Sequence, residues 1–97
     1  MTHDDEIYNE ALDAWGHNAQ MDVTIEELSE LIKAIIKHRR YPTEEKAFEM
    51  AEELGDVHIM IKQLEISMSR EYPDFIYWKS GSMQSKLKKI SSRLEKE

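Results

Sequence analysis

The sequence predicts an all-α protein built on a helical hairpin or four-helix bundle. Three observations carry this. Apolar residues recur at the three- and four-residue steps of an α-helix over most of the chain, and no strand-like alternation of useful length interrupts them. Only 3 Gly and 2 Pro punctuate 97 residues, so long helices are permitted. The third observation is a repeated acidic signature inside two of these helical stretches, Glu26-Glu27-Leu28-Ser29-Glu30 and Glu52-Glu53-Leu54-Gly55-Asp56.

The first helix is expected from Asp4 to Trp15, with Ile7, Tyr8, Ala11, Leu12 and Trp15 at helical spacing and Gly16 closing it. The second runs from Asp22 or Thr24 to Arg40 and sets Leu28, Leu31, Ile32, Ile35 and Ile36 on one side. Lys37, His38, Arg39 and Arg40 occupy its last turn, where the helix dipole favours positive charge. Tyr41-Pro42 ends it. Thr43 is the expected N-cap of a third helix, with Glu44 and Glu45 in the first turn, continuing to about Arg70 before Tyr72-Pro73. A fourth begins near Asp74 and reaches Leu94, with Ser80-Gly81-Ser82 marking a kink or break in its middle.

Composition narrows the function classes. A chain of 97 residues is one small domain, residues 1–97, and its 40% hydrophobic and 34% charged residues suit an ordered soluble protein. No apolar run approaches a membrane span, so no membrane is expected as a partner. The absence of Cys removes thiolate metal sites and disulfides and makes a cytoplasmic setting the default. A net charge of −7 argues against duplex nucleic acid, although a bound cation could reverse the local field at a nucleotide.

The acidic motifs carry the chemistry. Carboxylates three residues apart on a helix lie one turn apart on nearly the same face. Two such helices packed together would direct Glu27, Glu30, Glu53 and Asp56 towards one point. Glu53 falls among Met50, Val57, Met60 and Leu64 on the helical wheel, with Asp56 at the edge of that face and Glu52 further from it. A buried carboxylate needs a partner, a proton or a metal. Glu26 with Glu30 and Glu52 with Asp56 are also like-charge i,i+4 pairs, each unfavourable by about 0.2–0.5 kcal/mol. A shared cation would offset that cost. Simpler readings exist: Thr24-x-x-Glu27 matches a capping box, which for Glu27 alone is as good an explanation, and Glu53 could salt-bridge a base of the second helix. Neither explains the whole constellation. No His follows a Glu by three residues, so the di-iron Glu-x-x-His pattern is missing, and all-oxygen ligation favours Mg²⁺, with Mn²⁺ as a substitute. His58 lies on another part of the helix and reads as a packed or surface residue.

The spacing Glu26-Glu27-x-x-Glu30, then Glu53-x-x-Asp56 after a helical hairpin, resembles the signature of the MazG-like all-α nucleoside triphosphate pyrophosphohydrolases. Trp15-Gly16 and Gln20 before the first motif, Gln63-Leu64 after the second, Tyr77-Trp78-Lys79 and the closing Lys86-Leu87 and Arg93-Leu94 extend the resemblance from about Ile7 to Leu94. The resemblance implies a homodimer or homotetramer whose subunits complete one another's core. It also implies Mg²⁺-dependent hydrolysis of a nucleoside triphosphate between the α- and β-phosphates. On that reading Glu27, Glu30, Glu53 and Asp56 hold the metal and Glu26 orients or deprotonates the attacking water. Lys62, Lys79 and Lys86 are candidate phosphate contacts, and Trp15 and Gln20 candidate base contacts; for Trp15, core packing is the simpler role. The Ser80-Gly81-Ser82 segment departs from the continuous charged last helix of the family. Two other readings stand beside this one: a non-enzymatic helical interaction protein, and a phosphoribosyl-ATP pyrophosphohydrolase on the same fold.

Overall fold

A computed structural model describes residues 2–97. Its elements are α1 (His3–Trp15), α2 (His17–Arg40), α3 (Glu44–Glu71) and α4 (Phe75–Lys96), with no strand among the described residues. None of these helices is long and apolar enough to cross a membrane.

α1 begins at a reciprocal cap. The Asp5 amide donates to the Thr2 hydroxyl at 3.1 Å, and the Thr2 amide donates to the Asp5 carboxylate at 3.4 Å. Two amides that a helix start would leave unpaired are thus satisfied. At the other end, Gly16 takes φ 91° and ψ 156°, a region essentially confined to glycine. Its amide donates to the Leu12 carbonyl at 2.8 Å, and its own carbonyl accepts from the Gln20 amide at 3.1 Å. One residue therefore closes α1 and opens α2.

That economy corrects the expected start of α2 at Asp22 or Thr24. The helix is already running at His17, because nothing between Gly16 and Thr24 breaks it; the polar residues Asn18, Gln20 and Asp22 merely dilute the apolar pattern. Thr24 is consequently buried in mid-helix, where its hydroxyl donates to the Gln20 carbonyl at 2.8 Å. It caps nothing, and the capping-box reading of Glu27 falls. The start of α3 is as expected, with the Lys46 amide donating to the Thr43 hydroxyl at 3.1 Å. α4 is a second correction: it passes through Ser80-Gly81-Ser82 without a break. Glycine costs a helix only about 1 kcal/mol relative to alanine and keeps its amide, so its neighbours carry the helix through.

The chain forms two compact units, one ending at Ser67 and the other Met68–Glu97. In the first, α2 and α3 are antiparallel. His17 near the start of α2 hydrogen-bonds Ser67 near the end of α3, while Glu27 further along α2 meets Glu53 and Asp56 of the earlier part of α3. The short Tyr41-Pro42-Thr43 link makes this hairpin the natural solution. Leu12, Ala34, Val57 and Met60 are its buried apolar residues, joined by buried Gln20, Thr24, Gln63 and Ser67. Gln63 also donates to the Tyr8 carbonyl at 3.3 Å, which ties α3 to α1. The buried stripe of α2 is not the one the apolar residues outline: Ala34 is covered, whereas Ile32, Ile35 and Ile36 are exposed. In the second unit the Tyr72 and Trp78 rings lie 6.2 Å apart, tilted at 46°, and no residue of α4 is buried.

The two glycines separate cleanly by experiment. Gly16→Ala forces a side chain into a conformation that costs about 1–3 kcal/mol and should lower the midpoint of thermal unfolding. Gly81→Ala, in a helix with open space around the added methyl group, should instead gain about 0.5–1 kcal/mol of helix stability. A thermal melt of the two variants followed by circular dichroism checks both signs.

Candidate metal centre

The side chains that build the hairpin core also aim the carboxylates. On α2, Gln20, Thr24, Glu27, Leu31 and Ala34 advance by four, three, four and three residues and so share the face turned to α3. On α3, Met50, Glu53, Val57, Met60, Leu64 and Ser67 do the same. Glu27 and Glu53 thus occupy positions on core-facing stripes and are half-buried, while Asp56 stands exposed at the stripe's edge. Antiparallel packing brings the three together: one carboxylate oxygen from each of Glu27, Glu53 and Asp56 lies within 4.8 Å of the others. Glu52, one residue from Glu53, is exposed and outside the group.

Three carboxylates this close repel one another unless something neutralises them. The effect is visible at Glu27, whose carboxyl is held above its ordinary pKa. Loss of hydration is the leading cause, followed by the charges of Asp56, Glu53, Glu26 and Glu30. None of the ion pairs among the described residues involves Glu27, Glu53 or Asp56, so the salt-bridge reading of Glu53 finds no support. The donor set is all oxygen and strongly anionic, which fits a hard divalent cation such as Mg²⁺.

The remaining expected site residues are distributed around this centre. Glu30 lies one turn beyond Glu27, but its carboxylate faces Lys33 at 3.5 Å and is not part of the three-residue cluster. Glu26 is exposed on the neighbouring position of α2. Trp15 ends α1 with 67% of its surface exposed, so core packing within the subunit is not its role. Gln20 is buried beside His17, Met21, Thr24, Gln63 and Ser67, around a gap too narrow for a water molecule. Lys62 is exposed on α3; Lys79 is half-buried and Lys86 exposed on α4, in the second compact unit.

Sequence reasoning missed the polar seam formed by His17, Thr24, Gln63 and Ser67. The signal was present: Gln63 and Ser67 are four residues apart and share the Met60 face, as Gln20 and Thr24 share that of Glu27. Polar residues at core register normally need partners: His17 and Ser67 pair across the hairpin, Thr24 donates to the Gln20 carbonyl of its own helix, and Gln63 donates to the Tyr8 carbonyl of α1.

No curated protein and no solved structure matches the chain. The family model for the MazG nucleotide pyrophosphohydrolase domain does match, over residues 15–96, which takes in Trp15, both acidic motifs and the whole of α4. The carboxylate cluster lies inside that span, on the two helices that form the hairpin. The chain belongs to the MazG nucleotide pyrophosphohydrolase domain family.

Proposed function

We propose that this protein hydrolyses a nucleoside triphosphate between its α- and β-phosphates in a Mg²⁺-dependent reaction, releasing a nucleoside monophosphate and pyrophosphate. The observation that carries the reading is the convergence of Glu27, Glu53 and Asp56 from α2 and α3 within a MazG domain. Those three residues would hold Mg²⁺ or Mn²⁺, with Glu30 joining them by exchanging Lys33 for the cation. Once bound, the cation supplies charge neutralisation for the triphosphate oxygens. Glu26, exposed beside Glu27, accepts the proton of the attacking water as its oxygen forms a bond to phosphorus and the pyrophosphate oxygen leaves. Trp15 offers an exposed aromatic face for the base, whereas Gln20, buried around a gap too narrow for water, is not placed to read it; Lys62, Lys79 and Lys86 are the basic groups for the phosphates.

We also propose a homodimer or homotetramer in a cytoplasmic setting. Supporting assembly are the large apolar side chains left exposed on every helix, among them Ile25, Ile32, Phe48, Leu54 and Leu87. A subunit this small gains from sharing its core.

Glu53→Gln and Glu52→Gln each remove one negative charge from adjacent positions of α3. Pyrophosphate release from a nucleoside triphosphate panel should fall at least about 100-fold in the first, beyond the roughly 10–100-fold typical of residues behind the ligands. It should stay near wild type in the second. Equal losses would mean that net charge, not ligand placement, governs the reaction, and a wild type inactive on the whole panel would overturn the proposed activity.

Glu27 gives a stability test in metal-free buffer. Its raised pKa means the folded state holds the proton more tightly than the unfolded chain. The stability due to this group is therefore greatest in acid and is lost as pH rises through the raised value. Glu27→Gln should accordingly raise the melting temperature at pH 7 in chelator, and the gain should vanish below the ordinary carboxyl value of 4.5. Saturating Mg²⁺ should stabilise the wild type but not the variant.

A further inference from the structure

One face of α4 begins at a tryptophan and becomes strongly basic towards its end. Trp78, Ser82, Ser85, Lys89, Ser92 and Lys96 advance by four, three, four, three and four residues, so they lie along one side of the helix. Lys88 and Arg93 flank that line, one on each side, and all of these residues are exposed. From Ser85 to Lys96 the face forms a shallow groove of four cations and two hydroxyls. Between Phe75 and Leu94 there is no acidic residue. Glu95 and Glu97 stand at the end of the helix, yet no ion pair among the described residues engages Lys88, Lys89, Arg93 or Lys96. The groove therefore presents uncompensated positive charge on a chain whose net charge is −7.

The aromatic end completes the pattern. Trp78 is 55% exposed, and the Tyr72 ring braces it at 6.2 Å and 46°. Tyr77 beside it is 80% exposed. Gly81, Ser82 and Ser85 keep the way from these rings to the cations clear, and a methyl group added at Gly81 would meet nothing within 4 Å. Bases stack on aromatic rings for about 1–3 kcal/mol each, while phosphates take Lys and Arg. From Trp78 to Lys96 the helix rises about 27 Å. That is room for about four nucleotides, the low end of single-strand site sizes. Other polyanions fit less well. A duplex would meet a single line of cations on a chain that otherwise repels it. An anionic bilayer would have to bury Met83, Leu87, Ile90 and Leu94, which lie on the side of α4 opposite Lys89 and Lys96. The basic face stays open whatever covers those four.

We propose that the Trp78–Lys96 face of α4 binds single-stranded nucleic acid. Bases stack on Trp78 and Tyr77, and phosphates pair with Lys88, Lys89, Arg93 and Lys96. The face shares no residue with the carboxylate centre and does not depend on the hydrolysis proposed above.

The test is fluorescence anisotropy of a labelled oligothymidylate of about 12 nucleotides. It is titrated with the full chain in chelator, so that no cation bridges phosphate to the carboxylates. At ~50 mM salt the dissociation constant should be on the order of 10 µM, and its logarithmic salt slope about −3 for four phosphate contacts. Lys89→Glu/Lys96→Glu should weaken binding at least about 10-fold and flatten the slope by about 1.4. Lys37→Glu/Arg40→Glu, the same change of charge on α2, should stay within about 2-fold of wild type. In a Trp15→Phe chain the remaining tryptophan, Trp78, should be quenched as the oligonucleotide binds. Pyrophosphate release by Lys89→Glu/Lys96→Glu should stay near wild type. Equal losses in the two double variants, an unquenched Trp78, or a duplex bound as tightly as the single strand would each overturn the proposal. So would vesicles of phosphatidylserine that sediment with the wild type while oligothymidylate stays free. A parallel fall in pyrophosphate release would assign these lysines to the substrate's phosphates and overturn it as well. Oligonucleotide binding by a wild type inactive on every nucleotide would leave this face standing and remove only the hydrolysis.

Discussion

Everything in the first compact unit depends on how α2 and α3 are pressed together. Packing demands that the facing positions of two long helices be filled, and at Glu27 and Glu53 those positions are filled by carboxylates. The apolar residues Ala34, Val57 and Met60 and the His17–Ser67 hydrogen bond between α2 and α3 hold the helices in register regardless, while Gln63 ties α3 to α1. Like charges are therefore forced within a few ångströms by forces that do not involve them. Desolvation and mutual repulsion raise the proton affinity of Glu27, and the same two effects favour a divalent cation. The site is the place where hairpin packing and electrostatics disagree.

The polar seam has a specific part in this. An all-apolar interface between two helices tolerates sliding, because one leucine contact resembles another. Gln63 and Ser67, matched to Tyr8 and His17, do not. A slip by one turn would leave buried amide and hydroxyl groups unpaired, at about 1–3 kcal/mol each. Register is what allows the Glu27 carboxylate of α2 to meet those of Glu53 and Asp56 on α3 with oxygen atoms within 4.8 Å.

The distribution of charge organises the rest. Acidic residues dominate the hairpin and basic residues dominate α4, so the chain carries both halves of an electrostatic pair. The apolar seams on α2 and α4 remain exposed in the single subunit, which is a costly state for a protein of this size unless another surface covers them. Two neighbouring faces of α2 thus differ in kind: one carries Glu27 to α3, and the adjacent one carries Ile25, Leu28 and Ile32 outward.

Helix content, the hairpin and the acidic motifs were legible in the sequence because they are local or nearly so. Helical periodicity, a Thr43 cap and a three-residue link need only the chain nearby, and Glu53 among Met50, Val57 and Met60 identifies its face by spacing alone. The start of α2 was misread because a single glycine at positive φ can turn the chain without the polar stretch that usually announces a helix end. Ser80-Gly81-Ser82 was misread because a weak local preference yields to the helix on either side. What the sequence could not decide was which carboxylates meet. Glu30 and Glu27 look equivalent as a motif, yet only Glu27 lies at core register opposite Glu53 and Asp56, and Glu30 turns to Lys33. Distance between side chains on different helices depends on the register of packing, and register is a property of the whole interface rather than of any one segment.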